Sequence, residues 1–446
     1  MSILSMDFGT SSIKFSILDE NCKILKTAKE PYSIHVYNND WVELDDKALF
    51  RAMIKGIRSF GDELKKIDLI VFDNFSPSMV FMDEAGDPVY PIITHLDKRA
   101  KQQTKIILER MGKERFQAIT GIQPFTGGAS ITTAMWIKEN QSDVFNKTFR
   151  LGHLNTLIYK KLTGLWYSDH VNASMTGMYE TLTCKGWSAE ITETFGIPEN
   201  ILPQVIQPGS IAGKLTAETA TLCSLTEGIP VAIGTNDAAS AQVGAGNTQE
   251  GEILNISGSS EMVSVLTAET RVDDRYYLRC SATPGLWQIY ATTAGGFAID
   301  WFRKEFYRDM GDRDFFDREF KRVVDNYVEK KNVEFTPYIS GDRQSLEPKK
   351  ASFNGITLES TREDFLAAIL LGIHEPIRQT IEICEGFVPL RKKIKLTGGM
   401  IDDAFLRLKQ SLFPSYQFEI IPDCPVIGSA RLALAALREK TTGDRQ

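Results

Sequence analysis

One local pattern occurs twice in this chain, and it limits the possible folds more than any other feature. In the first half, the apolar runs Ile3-Leu4-Ser5-Met6 and 13–18 flank Asp7-Phe8-Gly9-Thr10-Ser11-Ser12. In the second half, Ile253-Leu254-Asn255-Ile256-Ser257 and 262–266 flank Gly258-Ser259-Ser260-Glu261. Each reads as a β-hairpin whose turn is built from glycine and hydroxyl residues. A strand–turn–strand unit repeated once per half predicts two like-folded domains facing each other across a cleft, where ligands preferentially sit. The boundary is expected near Asn247, giving domains over 1–246 and 247–446.

The first turn has the chemistry of an anion site. Gly9 lets the backbone approach a ligand closely, and the N–H and hydroxyl groups of Thr10, Ser11 and Ser12 can surround an anion. Lys14 adds a positive charge, and Asp7 is a hard oxygen group suited to a hydrated Mg²⁺. The same residues also make ordinary turns, so the partners decide. Further glycine turns follow strands at Gly258, at Gly295-Gly296 and at Gly398-Gly399. Together the four suggest a nucleotide site assembled from both halves. No GxxxxGK[ST] and no GxGxxG after a strand is present, which removes Walker-type and dinucleotide readings.

Between these turns the periodicities predict a mixed α/β fold. A third strand is expected over 23–28, and a helix within 46–65 carries Leu49, Met53, Ile57 and Phe60, capped by Asp45 or Asp46. Strands follow at 69–72 and 79–82. Helices are expected over 97–120, 133–139 and 153–162, the last closed by Gly164. Residues 167–186 read as a loop. Residues 228–234 read as a buried strand bounded by glycines, and a helix begins within 235–241. A long helix is expected over 363–384, a strand over 393–396, a helix over 402–412, a strand over 417–421 and a last helix from about Ile427.

Composition narrows the function. A net charge of −7 excludes a basic nucleic-acid-binding face. No run of eighteen apolar residues predicts a membrane span, and the first residues lack the layout of a signal peptide, so a cytoplasmic enzyme is expected. The six cysteines contain no CxxC pair and are expected to be reduced thiols. The five histidines form no metal-ligand spacing; His153 and His170 are expected to be structural.

At this point the chain resembles the FGGY carbohydrate kinases, a family in the superfamily of actin, hexokinase and the heat-shock chaperone ATPases. The opening DFGTSSIKFSIL is similar to the family's first phosphate motif, Gly258-Ser259-Ser260 to the second, and Thr397-Gly398-Gly399-Met400 to the adenosine motif. Gly228-Ile229-Pro230-Val231 with Gly234, Asp237 and Gly244 resembles the G-I-P-V…G-x-x-D…G block. Gly295-Gly296 through Trp301 and residues 335–343 resemble two further motifs, all in collinear order. The resemblance implies two ribonuclease H-like (actin-like ATPase) domains, each a mixed sheet flanked by helices, with the active site in the cleft between them. It implies ATP and Mg²⁺ as the phosphoryl donor system and a small sugar, a ketopentose of the xylulose kind or a related ketose or polyol, as acceptor. Asp237 corresponds to the general base, and its place at a helix start also suits an N-cap. Gly9, Thr10, Ser11, Ser12 and Lys14, with Gly258, Ser259, Ser260, Gly295, Gly296, Gly398, Gly399 and Met400, would hold ATP. Asp7 would orient Mg²⁺ through water. Homodimers are common in the family.

The acceptor side departs from the pattern. Where xylulose kinases carry Gln-Met-His-Gly and glycerol kinases an Arg-Glu pair, this chain has Phe75-Ser76-Pro77-Ser78. The family's W-x-D-x-R is His95-Leu96-Asp97-Lys98-Arg99, and Ala238 follows the catalytic acid where Asn or Gln is frequent. Ser76, Pro77, Ser78, His95 and Asn236 are therefore the expected acceptor contacts, and Asp97–Arg99 reads equally as a sugar contact or as an ion pair. A regulatory nucleotide-binding protein of this fold and an ATPase with a protein client are the rival readings.

Overall fold

The computed structural model describes all residues except 39, 330–331, 340, 342–345, 347–348 and 444–446. The chain forms two compact units. The first comprises residues 1–246, 278–287 and 423–446, and the second 247–277 and 288–422. The segment 278–287 and the C-terminal helix thus belong with the first unit rather than with their neighbours in sequence.

In the first unit, strand Ser2–Phe8 pairs antiparallel with Ser12–Asp19 and parallel with Ile67–Asn74, so that Asp7 lies opposite Lys14 on one side and Asp73 on the other. Ile24–Pro31 extends the sheet beyond Ser12–Asp19. Pro230–Val231 and Thr235–Asn236 both join Ile67–Asn74. Helix Asp46–Arg58 covers this sheet through Leu49, Met53 and Ile57, its N-terminus capped by the Asp45 carboxylate. Gly56 lets it approach, since a Cβ there would lie 2.1 Å from the Phe15 ring. A second, five-stranded sheet of the first unit is ordered Ile34–Tyr37, Trp41–Leu44, Ile92–Thr94, Ser78–Met82, Arg150–Gly152.

The second unit repeats the arrangement. Ile253–Ser257 pairs antiparallel with Ser260–Thr267 and parallel with Lys393–Thr397, which in turn pairs with Gln417–Ile420. A hydrophobic core that includes Phe302, Phe320, Phe405 and Leu366 packs on it. Each unit therefore presents a glycine turn at the tip of a hairpin, as the repeated pattern predicts, and the first strand of each hairpin also pairs with a parallel neighbour.

Several expectations needed correction. The helix expected over 97–120 is two, Lys101–Arg110 and Lys113–Thr120, because Gly112 at φ 79° breaks it. The helix expected over 363–384 divides into Arg362–Gly372 and Glu375–Glu385. Pro376 lacks an N–H and its ring would clash with the preceding turn. The strand expected over 228–234 shrinks to Pro230–Val231, after which the chain passes under Phe72; a Cβ on Gly234 would be 2.3 Å from that ring. Residues 167–186 are not a plain loop, since strand Tyr167–Asp169 leads into helix His170–Ser174, capped by Asp169. The motif expected over 335–343 lies partly outside the described residues.

Candidate functional site

The site of the first unit is built where three strand ends meet. Gly9 N–H donates to Ser12 O at 3.0 Å, closing the turn, and the Tyr32 hydroxyl donates to Gly9 O. Thr10, Ser11 and Ser12 remain accessible. Lys14 is tied by an ion pair to Asp423, just ahead of the C-terminal helix. Its charge is thus shared rather than directed only at an anion.

Asp7 stands beside Asp73, and Asp73 is fully buried. Burial raises both acids. Asp73 is lifted well above the usual carboxylate range, with the Asp7 charge the next cause; at Asp7 the hydrogen bond with Asp73 and the Lys14 charge oppose the rise. Ser429 Oγ donates to Asp73 Oδ2 at 2.8 Å, whereas Oδ1 meets no donor. A buried acid beside a partly buried one calls for a shared proton or a cation. Sequence reasoning missed Asp73: an acid at the end of the apolar run 69–72 gave no sign of its partner, which lies 66 residues earlier.

Asp237 opens helix Asp237–Gly244. Asn236, not Asp237, is the N-cap, its Oδ1 accepting from Ala238 N and Ala239 N at 3.2 and 3.3 Å. Asp237 Oδ1 accepts from Ala238 N at 2.7 Å and from Asn236 Nδ2 at 2.8 Å. Both bonds end on Oδ1, leaving Oδ2 for an incoming proton. Burial, and next the Asp7 charge, push the Asp237 carboxyl up to about 6, while the Arg279 charge pulls the other way. Asp237, Asp7 and Asp73 thus form one electrostatic group.

The expected acceptor wall is held by its own hydrogen bonds. Asn74 Nδ2 donates to Phe75 O and Ser76 Oγ, each at 2.9 Å, and Ser76 Oγ donates to Asn172 Oδ1. Ser76–Pro77 is a cis peptide. Ser78 is fully buried and accepts from Leu154 N at 3.2 Å, a structural rather than an open position. The His95 ring meets Phe75 edge-on at 6.0 Å between centroids and stays partly exposed. Asn172 in turn donates to Asp169 at 2.6 Å, and Asp169 also accepts from Thr235 Oγ1 at 2.7 Å. His153, buried and bonded to Ser130 Oγ at 2.7 Å, is driven by burial to about 4 and is neutral.

Asp97 and Arg99 are an internal ion pair. Arg99 donates to Asp97 at 2.7 Å, to Glu43 at 2.8 Å and to the Tyr90 hydroxyl at 3.1 Å, and its guanidinium lies 4.2 Å from the Trp41 ring. With Nε and both terminal nitrogens engaged and its side chain fully buried, Arg99 pins the five-stranded sheet. Of the two readings for this pair, the structural one fits.

In the second unit three glycine turns converge. Gly296 N donates to Gly258 O at 2.9 Å, Phe297 N to Ser259 O at 3.1 Å and Met400 N to Ser257 O at 3.2 Å. Close approach requires glycine at Gly295, where a Cβ would be 2.5 Å from Ser260 C, and at Gly398, whose φ is 124° and whose Cβ would be 2.1 Å from Ser257 O. Gly399, by contrast, faces open space. Beneath Gly258-Ser259-Ser260 lies a network that the sequence did not reveal. Lys409 Nζ, fully buried, donates to Asn255 Oδ1 at 2.7 Å, Glu261 Oε2 at 3.0 Å and His374 Nε2 at 3.0 Å. All three ammonium donors are used. Burial, the largest single influence, favours a neutral Glu261, but the Lys409 charge together with the hydrogen bonds of Asn255 and Ser257 outweighs it and holds the carboxyl below its ordinary range. His374, lowered to about 4 by burial and then by Lys409, stays neutral. Asn255 and Glu261 flank the turn, so the network fixes the hairpin from below.

Among the described residues no cluster of three or more His, Cys, Asp or Glu side chains could hold a metal directly, and no helix is long and apolar enough to cross a membrane. Residues 2–244 match the N-terminal domain of the FGGY family of carbohydrate kinases. A xylulose kinase of Lactococcus lactis is 26% identical over 97% of this chain and 87% of its own length. The crystal structure of xylulose kinase from Rhodospirillum rubrum superposes with a TM-score of 0.88 at 20% identity, over 97% of this chain and 89% of that one. A Plasmodium falciparum glycerol kinase solved with ADP gives 0.86 at 20% identity, over 98% and 90%.

Proposed function

Since this chain belongs to the FGGY family of carbohydrate kinases, we propose that it transfers the γ-phosphoryl group of ATP to a hydroxyl of a small ketose, of the xylulose kind, with Asp237 as general base. The observation that carries this reading is the Asp237 carboxylate itself: both hydrogen bonds that fix it end on Oδ1, and burial with the neighbouring Asp7 charge raises it to about 6. A base of that strength is ionised at neutral pH yet close enough to it to take and return a proton.

The residues present fit the donor. Bound MgATP supplies the electrophilic phosphorus and neutralises charge on the phosphates. Thr10, Ser11, Ser12 and Lys14 would hold phosphate oxygens. Asp7 would hold Mg²⁺ through water, which suits a pair of acids, Asp7 and Asp73, with a buried oxygen lacking a donor. In the second unit, Ser259, Ser260 and Gly296 are read as phosphate contacts and Gly399 and Met400 as the nucleoside side. The open space at Gly399 favours that role, and the contacts at Gly398 show why glycine is needed next to it.

For the acceptor, Asp237 Oδ2 would receive the proton of the attacking hydroxyl while Asn236 and the Ala238 amide hold Oδ1 and fix the carboxylate's rotation. His95 and Ser76 would meet the sugar. Because Phe75 and Pro77 stand where xylulose kinases carry Gln and His, and His95 where the family carries Trp, the acceptor is expected to differ from xylulose in at least one hydroxyl.

The test is ADP release across a panel of ketoses, aldoses and polyols with the wild type and Asp237→Asn. The variant should lose on the order of 10²–10⁴ in kcat while binding ATP as before. In the wild type kcat/KM should fall below about pH 6, because protonated Asp237 cannot accept a proton. Unchanged turnover in the variant, or a flat profile down to pH 5, would remove Asp237 from the base role.

A further inference from the structure

Two of the six cysteines lie side by side in the first unit although 96 positions separate them: Cys184 Sγ is 3.2 Å from Cys280 Sγ. Both are anchored to one carbonyl. The Cys184 thiol donates to Thr181 O at 3.5 Å and the Cys280 thiol to the same oxygen at 3.9 Å. Cys280 is further fixed through its amide, which donates to Ser174 Oγ at 3.3 Å, and by contact with Ala173 and Tyr179. Cys184 occupies a turn at φ 52°, and its carbonyl accepts from the Tyr179 hydroxyl at 3.2 Å. A disulfide needs about 2.05 Å between sulfurs, so one side chain has to move by about 1 Å.

The two thiols differ in access. Cys280 is 2% exposed, whereas Cys184 is partly exposed and lines an open cavity of about 580 Å³ with His170, Tyr179, Lys185 and Trp187. The contact with Cys280 holds the Cys184 thiol below its ordinary range, while the same contact and burial raise Cys280. The other four, Cys22, Cys223, Cys384 and Cys424, are buried. Burial raises Cys223 to about 11 and Cys384 to about 12, which makes them poor nucleophiles.

We propose that Cys184 and Cys280 are a modification site, a dithiol that a peroxide converts to a disulfide. The Cys184 thiolate attacks one peroxide oxygen, breaking the O–O bond; the sulfur becomes a sulfenic acid and the other oxygen leaves as water after taking a proton. Cys280 sulfur then attacks the sulfenic sulfur, the S–O bond breaks, and a second water leaves with the Cys280 proton. Cys184 is the attacking residue because it alone of the pair faces the cavity, and Cys280 is the resolving one.

The bond would act on a functionally placed segment. Residues 278–287 belong to the first unit, although the chain on both sides belongs to the second. Arg279, next to Cys280, is the residue whose positive charge opposes the rise at Asp237. Oxidation would tie this segment covalently to the 181–184 turn.

The experiment is brief exposure of the full chain to a few equivalents of hydrogen peroxide at neutral pH, followed by thiol titration, intact mass and non-reducing peptide mapping. Expected are the loss of two native thiols, a mass lower by two hydrogens, a single linked peptide pair carrying Cys184 and Cys280, and reversal by dithiothreitol. Closing so long a loop should also raise the melting temperature by about 5 °C. Cys280→Ser should instead leave a dimedone-reactive sulfenic acid at Cys184, and Cys184→Ser should leave Cys280 unmodified. Oxygen addition at Cys184 without a link in the wild type, a link to another cysteine, or no reaction would each overturn the proposal. The wild-type peptide map decides the matter even if a serine variant fails to fold.

Discussion

Helix Asp237–Gly244, which begins at the candidate base, lies backbone to backbone on helix Cys424–Gly443. A Cβ on Gly428 would stand 1.7 Å from Ser240 O and 2.8 Å from Gly244 N, and one on Gly244 would stand 1.8 Å from Cys424 O. Ordinary contact starts at 3.4 Å. Gly428→Ala therefore has to separate the two backbones by on the order of 1.5 Å, since a close-packed interior has no slack to absorb the methyl. That separation breaks a relay of two bonds: Ser240 Oγ to Ser429 Oγ at 3.0 Å and Ser429 Oγ to Asp73 Oδ2 at 2.8 Å. Overpacking costs about 1–3 kcal/mol. Loss of a hydrogen bond to a buried acid costs about 1.5–3 kcal/mol. Alanine's better helix propensity returns about 1 kcal/mol. The net destabilisation is about 3 kcal/mol, read as a melting temperature lower by about 3–5 °C and as a lower urea midpoint by far-UV circular dichroism. Turnover should fall as well, because the displaced helix carries Asp237. A variant destabilised by less than about 1 kcal/mol would show that the contact yields cheaply and would refute the reasoning.

Two further substitutions separate structure from ligand contact in the second unit. Lys409→Met should destabilise by about 3–5 kcal/mol, because Glu261 is left charged and buried without its partner. Adding Glu261→Gln should recover part of that loss, and a double-mutant cycle in urea checks it. Gly399→Ala meets no protein atom and should leave the melting temperature within about 1 °C while raising the KM for ATP, whereas Gly398→Ala clashes with Ser257 O and should lower stability itself. Equal effects of the two alanines on stability would contradict the assignment of Gly399 to a ligand face.

Local chemistry made much of this legible. The apolar runs flanking a glycine turn in 3–18 and 253–266, the Asp45 cap and the Gly164 stop each depend on neighbours a few residues away, and each appears in the structure where the pattern places it. The corrections came where one residue overrides a longer periodicity: Gly112 and Pro376 each divide a helix that the apolar spacing alone would continue. What stayed hidden is long-range. Lys14 reads as a free cation until Asp423, 409 positions away, is seen to neutralise it. Asp73 lies just past the strand expected over 69–72, and Lys409 within the helix expected over 402–412, and neither position shows in sequence the partners that surround it, among them Glu261 and Asn255 at Lys409.

Asp73 and Lys409 share one feature, a buried acid or charge that only tertiary pairing makes tolerable. Asp7, Asp73 and Asp237 raise one another or are raised by burial, so folding places acids where water would not be exchanged for an apolar wall without return. A cluster so costly is expected where a cation and a proton are handled, and it lies at the same strand ends as the accessible hydroxyls of Thr10, Ser11 and Ser12. The acceptor wall, in contrast, is satisfied by its own bonds through Asn74, Ser76 and Asn172. A sugar that binds there has to match groups already committed, which makes His95 and Ser76, more than the phosphate turn, the positions where exchange for another side chain should change the preferred sugar without changing the KM for ATP.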